Sequence, residues 1–493
     1  MNQIRPGVFV PRFFRACSKI SFENLRHPPE ALPLLKGKKD FFIGSGGFNL
    51  NFKNTLSIGL MLFALFFGAG NMIFPPLLGQ AAGTNLWPAI IGFLITGVGL
   101  PLLGVAAAAL NGGNFEKISA HVHPMFGIIF TLILYLAIGP VFAIPRTGTV
   151  AYEISVVPFL NKELASNNLS LFLYTIIFFG VTYWLSRNPS KLVDRIGKIL
   201  TPALLITIAV IVVKAFLNPM GSIPEPSEAY SSSPFFKGFI EGYLTLDALA
   251  ALVFAMVVFN AIKSLGITNP KTIALTAIKS GIIAAIGLML VYLSLAYLGA
   301  TSASVVGDVE NGGQILAISA NHYYGVFGTI MLGAAITLAC LTTSVGLVTS
   351  CAEYFNKLWP KISYQKFILI ITIFSMLVAN VGLTQLITIS LPVLMMIYPI
   401  AITLIILSFF DRYFGSARSV YIGGVLGTGI VSILDGFVFA GIAGENVKQF
   451  LTSSLPLYSN GVGWVIPALI GIVIGYVLSL RQKQNDELAR KVS

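Results

Sequence analysis

The residues in this chain that could do chemistry are polar groups set inside apolar runs. Gly68-Ala69-Gly70-Asn71 and the pair Pro75-Pro76 interrupt the first long run, which starts near residue 55. In a helix interior Gly costs about 1 kcal/mol and Pro about 3 kcal/mol relative to Ala. In hydrocarbon, each backbone group they free costs several kcal/mol more unless protein, ion or water satisfies it. A break at that point is expected to serve something bound there. Thr245 and Asp247 interrupt another run, six residues past Glu241 in the case of Asp247. An acidic residue within a span costs about 2.5–3.5 kcal/mol on insertion scales, so Asp247 should face a partner, an ion or a cavity, or cap a half-helix. A third run contains Ala339-Cys340-Leu341-Thr342-Thr343-Ser344. Its consecutive hydroxyls either back-bond to preceding carbonyls or supply the neutral oxygens that hard cations take. Together these groups suit reversible capture: half-helix N-termini for a carboxylate, unwound carbonyls and hydroxyls for a cation. The chain has no His-Glu-x-x-His, Gly-x-Ser-x-Gly or zinc-cluster pattern, so an enzyme is not expected.

The elements that must position these groups are helices. The 493 residues are 56% hydrophobic and only 10% charged, where soluble domains carry roughly 25% charged residues. A spanning helix needs about 20 apolar residues. Twelve candidate segments follow, at about 55–77, 86–110, 125–146, 169–187, 193–217, 235–262, 272–300, 325–352, 364–381, 384–410, 418–441 and 461–480. The expected class is an all-α polytopic membrane protein, with the first and sixth helices broken. Five spans lie in 54–217 and five more in 218–410, counting the loop that precedes them, and an odd number per repeat inverts the second copy. Corresponding interrupted helices in two inverted halves point to a midplane binding site. Two accessory helices, 411–480, and a short tail, 481–493, complete the division.

The net charge of +12 lies mostly in short loops and tails rather than in a nucleic-acid face. Arg187, Lys191, Arg195 and Lys198 follow the fourth segment, Lys263 and Lys271 the sixth, Lys357, Lys361 and Lys366 the eighth, and Arg412 and Arg418 the tenth. The alternate loops carry Glu225, Glu228, Asp308 and Glu310, so the positive-inside rule puts both termini in the cytoplasm. Residues 1–53 form a basic stretch without a secretory-signal core, expected to be a disordered tail or a start-site extension. Residues 218–234 are expected to be an irregular loop. Residues 301–324 suit either a plain loop or a short amphipathic helix around Gln314–Ile318. Cys340 and Cys351 suit packed thiols, and His121-x-His123 lacks a third ligand for a metal. Arg146 is placed near the outer membrane boundary, as a snorkelling side chain, a partner of Glu153 or a gate to an outer vestibule. Asp435 is an intramembrane acid without an assigned partner.

Gly59-Leu60-Met61-Leu62-Phe63-Ala64-Leu65-Phe66-Phe67-Gly68-Ala69-Gly70-Asn71-Met72-Ile73-Phe74-Pro75-Pro76 closely resembles the opening of the bacterial branched-chain amino acid–cation symporter family. Gly139-Pro140-Val141-Phe142-Ala143-Ile144-Pro145-Arg146-Thr147 and Glu241–Ala251 resemble further signatures of it, and the likeness runs over about residues 53–480. The resemblance implies inward co-transport of leucine, isoleucine or valine with sodium through the bacterial inner membrane, on the inverted-repeat fold of the bacterial leucine transporter. It implies no cofactor beyond the coupling ion, no nucleic acid and no obligate protein partner. By the same resemblance the N–H groups of Ala69 and Gly70 hold the substrate carboxylate; Thr245, Asp247 and an apolar pocket with Phe66 are expected to complete the substrate site. One sodium position takes the carbonyls of Ala64, Phe67 and Ala339 with the hydroxyls of Thr342 and Thr343. A second involves Asn71 and Thr245. A proton-coupled carrier titrating Asp247 is the alternative; a lysine in the middle of the fifth segment could replace the ion, but Lys198 and Lys214 lie near its ends. A channel is the more distant one.

Overall fold

The first apolar run folds as two helices, α1 (Phe52–Phe66) and α2 (Ala69–Ala82), separated by Phe67 and an extended Gly68 at φ −122° and ψ −160°. The computed structural model describes residues 52–161, 163, 168–187 and 192–492, so residues 1–51 of the expected basic tail lie outside the described residues. Next come α3 (Leu86–Leu94), α4 (Leu100–Leu110), α5 (Phe115–Ala120), α6 (Pro124–Leu136), α7 (Ala143–Ser155), α8 (Asn168–Ser186) and α9 (Leu192–Leu217). The chain continues through α10 (Glu228–Ser231), α11 (Pro234–Glu241), α12 (Asp247–Ser264), α13 (Pro270–Val306) and α14 (Gly312–Leu358). It closes with α15 (Tyr364–Ala379), α16 (Leu383–Phe414), α17 (Arg418–Phe439), α18 (Glu445–Ser454) and α19 (Val465–Val492).

Among the described residues there is no strand, and nine helical runs are long and apolar enough to cross a membrane by length and composition. Phe52–Phe66, Pro202–Leu217 and Tyr364–Ala379 are shorter apolar helices. Interruptions account for part of the difference from twelve segments, because α2 and the second segment merge into one run, Ala69–Leu110.

Both expected breaks are present. The sixth segment is α11, a 3-10 turn at Gly242–Thr245, then Leu246 in the left-handed region at φ 66° before α12 begins at Asp247. A left-handed non-glycine residue costs roughly 1–2 kcal/mol, so the surrounding packing must hold Leu246 in place; it is buried. The third segment is also interrupted, which the sequence reading did not anticipate. A wide turn at Ala137–Val141, with Gly139 at φ −95° and ψ −122°, separates α6 from α7. Pro140 removes one donor there, and Gly139 lets the Cys351 sulfur sit where a Cβ would otherwise be.

The loop readings need two corrections of extent. Residues 301–306 finish α13, and 312–324 form the first arm of α14, which kinks at Gly325 (φ 59°, ψ −153°). Asn311 caps that arm by accepting hydrogen bonds from Gly313 N at 3.0 Å and Gln314 N at 3.4 Å. Residues 218–233 are irregular apart from α10, and Pro234 already begins α11. At the other end, helix α19 continues through most of the expected tail, to Val492.

The broken helices sit in the core and are packed reciprocally. α13 lies along α1 and α2, while α3 and α4 lie along α11 and α12, and α7 lies along α14. Backbones meet where side chains are absent. A Cβ on Gly79 would overlap the Ala296 carbonyl, and one on Gly299 the Pro76 carbonyl. α17 and α19 pair in the same small-residue manner, Gly423 against Gly471.

Candidate functional site

The two breaks face each other. A Cβ on Gly70 would lie 3.2 Å from the Thr245 carbonyl oxygen and 3.4 Å from that of Leu244. Around this contact is a small cavity of about 30 Å³, lined by Phe66, Gly68, Ala69, Gly70, Asn71, Thr245, Asp247 and Thr343 among the expected residues. Leu65, Ile138, Phe254 and Leu347 give it an apolar wall, and Arg146 and Thr147 complete it.

Asp247 is the centre of the polar network. It is buried, and its Oδ2 accepts from Asn71 Nδ2 at 2.5 Å and from the Tyr292 hydroxyl at 2.6 Å. Asn71 Nδ2 also donates to the Tyr292 oxygen. One carboxylate oxygen thus ties together α2, α12 and α13. The capping expectation fails in detail: Asp247 N–H donates to Thr245 Oγ1 at 3.3 Å, so Thr245 supports the start of α12. The Thr245 hydroxyl itself donates to Gly242 O at 2.9 Å.

Asn71 also shapes the first break. Its Oδ1 accepts from Gly68 N–H at 3.1 Å, which diverts that donor from the Ala64 carbonyl it would meet in a continuous helix. Ala64 is therefore left with a backbone acceptor outside the helical ladder. Ala69 and Gly70 are the first two residues of α2, where backbone N–H groups have no intrahelical partner.

On α14, the two threonines differ. Thr342 Oγ1 donates to Ala339 O at 2.8 Å, the local back-bond anticipated as the plain alternative. Thr343 Oγ1 is buried with no hydrogen-bond partner among the described residues, and a Cβ on Gly68 would lie 3.1 Å from it. Thr343 thus faces the first break and lines the cavity, whereas Ala64, Phe67, Ala339 and Thr342 do not line it. The oxygens of Asn71 and Thr245 share the cavity, already engaged in the hydrogen bonds described.

Arg146 departs from its expected place. Rather than snorkelling, it is buried, donating Nη1 to Leu244 O at 2.6 Å and lying 5.4 Å from the centre of the Phe74 ring. Glu153 instead accepts from Asn311 Nδ2 at 3.2 Å and Gln314 Nε2 at 3.0 Å, fastening the first arm of α14 to α7. The third-helix break carries Arg146 inward, and Gly139-Pro140 was its only sequence signal. Tyr292 was missed outright, because a single tyrosine in an apolar helix does not distinguish itself. Asp435 is buried on α17 beside Tyr458, away from this cavity. His123 caps α6 through Met125 N, and His121 stacks on Tyr421.

About one helical turn from the cavity opens a vestibule of about 670 Å³, bounded by Met61, Leu252, Asn260, Ser350, Glu353 and Tyr354 among others. It lies toward the end of the bundle where α1 begins and where α12 and α14 end. On the opposite side, the Tyr243 and Tyr398 rings stack at 4.3 Å.

A family model described as branched-chain amino acid transport protein matches residues 51–482. The branched-chain amino acid permease BraB of Bacillus subtilis is 57% identical over 90% of this chain and 99% of its own length. The permease BrnQ of the same organism is 51% identical over 86% and 96%. The branched-chain amino acid transport system 2 carrier protein of Pseudomonas aeruginosa is 45% identical over 86% and 95%. Among solved structures, Mhp1, a nucleobase-cation-symport-1 family transporter, superposes with a TM-score of 0.57 at 13% identity, covering 87% of this chain and 92% of its own. MhsT in complex with L-phenylalanine gives 0.50 at 13%, covering 86% and 97%. The fold is thus the leucine-transporter fold, as the family resemblance implies. The family is one of transporters, not enzymes, and this chain belongs to the branched-chain amino acid transport protein family.

Proposed function

We propose that this chain is a sodium-coupled symporter that carries leucine, isoleucine or valine inward across the bacterial inner membrane, with both termini cytoplasmic. The reciprocal packing supports two five-helix repeats, 54–217 and 218–410, followed by accessory helices within 411–480. The observation that carries the ion assignment is the Thr343 hydroxyl, buried without a partner beside Gly68. An unpaired buried hydroxyl costs about 1–3 kcal/mol, which a cation at that point would offset. Thr343 and the Ala64 carbonyl head the ligand set, with the carbonyls of Phe67 and Ala339 and the hydroxyl of Thr342 alongside. Asn71 and Thr245 form the second, less open position.

In this mechanism sodium bridges α1 and α14 and holds the first break in its unwound form. That presents the N–H groups of Ala69 and Gly70 to the substrate carboxylate. Asp247 Oδ1 accepts from the substrate ammonium, and the apolar wall with Phe66 takes the branched side chain. Because each ligand favours the geometry the other needs, their affinities rise together by the same factor. A methylene changes affinity in such a pocket by only about 1–3 kcal/mol, so the three amino acids compete. Leucine needs more room than the cavity provides as it stands, so binding must spread the walls.

A second reading is favoured by one observation. Asp247 is buried among neutral donors and makes no ion pair among the described residues, a setting that suits a carboxyl taking up a transported proton. Radiolabelled leucine uptake into proteoliposomes separates the two. An inward sodium gradient at equal pH should drive accumulation; failure to accumulate, together with uptake under a pH gradient without sodium, overturns sodium coupling.

A further inference from the structure

Arg146 is a buried guanidinium that makes a single hydrogen bond among the described residues, from Nη1 to Leu244 O. It forms no ion pair among the described residues. A guanidinium presents five donors in a rigid fork that matches a carboxylate. Burying one is costly unless a counter-charge meets it, and the Phe74 ring at 5.4 Å meets only its face. Asp247 is near enough for its charge to reach Arg146, yet its Oδ2 is taken by Asn71 and Tyr292 and the two do not pair. Both side chains line the same cavity. Two unpaired opposite charges around one small space are complementary to a zwitterion. Position agrees with this. Leu244 O, which Arg146 holds, lies 3.4 Å from where a Cβ on Gly70 would be. The free donors of Arg146 are thereby set beside the amino end of α2.

We propose that Arg146 binds the substrate carboxylate from α7, receiving one oxygen while the N–H groups of Ala69 and Gly70 receive the other. This assignment rests on the amino acid symport reading above and adds a charged residue of the third helix to the substrate site. Arg146 thereby selects zwitterions over amines, opposite in sense to Asp247.

The test compares leucine with leucinol, which keeps the ammonium and branched chain but lacks the carboxylate. Binding of each to purified protein in sodium is measured for wild type, Arg146→Lys and Arg146→Met. Loss of a charge-assisted contact should weaken leucine by about 10- to 100-fold in Arg146→Met while changing leucinol little, so the leucine-to-leucinol ratio collapses. Arg146→Lys, which keeps the charge without the fork, should give an intermediate ratio. Because the ratio is taken within each protein, a reduced active fraction does not alter it. A merely structural Arg146, holding Leu244 O, would weaken both ligands equally, and an unchanged ratio overturns the proposal. If Arg146→Met does not purify as folded protein, the ratio in Arg146→Lys decides by the same criterion. Wild type failing to bind leucine would instead overturn the symport reading.

Discussion

Thr343 and Tyr292 show how single side chains divide binding from stability. Replacing Thr343 by Val removes an oxygen that no donor or acceptor meets among the described residues, and Val keeps its shape. Thermal stability without sodium should be unchanged or slightly higher, since a buried unpaired group is lost. The sodium concentration giving half-maximal leucine uptake should rise by about tenfold, equivalent to about 1.4 kcal/mol. Unchanged sodium dependence would remove Thr343 from the ion site. Tyr292→Phe acts the other way, because its hydroxyl donates to Asp247 at 2.6 Å. It should cost about 1.5–3 kcal/mol of stability, the range for a hydrogen bond to a charged group, and lower leucine affinity as Asp247 loses its orientation. A melting temperature equal to wild type would show that the bond contributes nothing. What was legible at this scale follows from contrast with the surroundings. Thr343, Gly70 and Asp247 stand out because glycine, hydroxyls and acids are costly in apolar runs. Tyr292 belongs in such a run on composition alone, and its role depends on where α13 crosses α12.

At the scale of elements, close helix contact positions the site. The carbonyl of Ala296 occupies the space a Cβ on Gly79 would need, and the carbonyl of Pro76 that of a Cβ on Gly299. Alanine at Gly299 must push α13 away from α2, although alanine is the better helix former by about 1 kcal/mol. Overpacking of this kind typically costs about 1–3 kcal/mol. Gly299→Ala should therefore lower the melting temperature and impair uptake, because Asn71 and Tyr292 sit on the two helices being separated. Gly180→Ala on α8, where nothing lies within 4 Å of the added carbon, should be neutral or mildly stabilising. A Gly299→Ala protein as stable and active as Gly180→Ala would contradict the packing argument. The breaks of the first and sixth helices were readable from Gly68–Asn71 and from Thr245 and Asp247. That of the third was not, since Gly139-Pro140 is equally compatible with a simple kink. Only the facing helix, whose Cys351 sulfur approaches Gly139, shows why the chain unwinds there, and Arg146 was misplaced as a result.

The helical bundle of residues 52–492 is open toward one end. The vestibule reaches within a helical turn of the cavity, while Arg146 on the Leu244 carbonyl and the Tyr243–Tyr398 stack cover the opposite side. Under the proposed orientation this is a cytoplasm-facing form, and alternating access requires that the opening reverse around the same site. Ligands drive such a change only through different affinities for the two forms. Shifting a 1:99 population to 99:1 takes about 5.5 kcal/mol of differential binding, more than one weak ion contact supplies. Sodium alone should therefore shift the population in part, and sodium with leucine nearly completely. Asn260, exposed on α12 in the vestibule, reports this once Cys17, Cys340 and Cys351 have been replaced. In inside-out vesicles Asn260→Cys should react readily with a membrane-impermeant maleimide in potassium buffer. It should react more slowly in sodium, and slowest in sodium with leucine, whereas in right-side-out vesicles it should stay unlabelled throughout. Labelling independent of both ligands would mean that the vestibule is a fixed indentation rather than one half of a transport cycle.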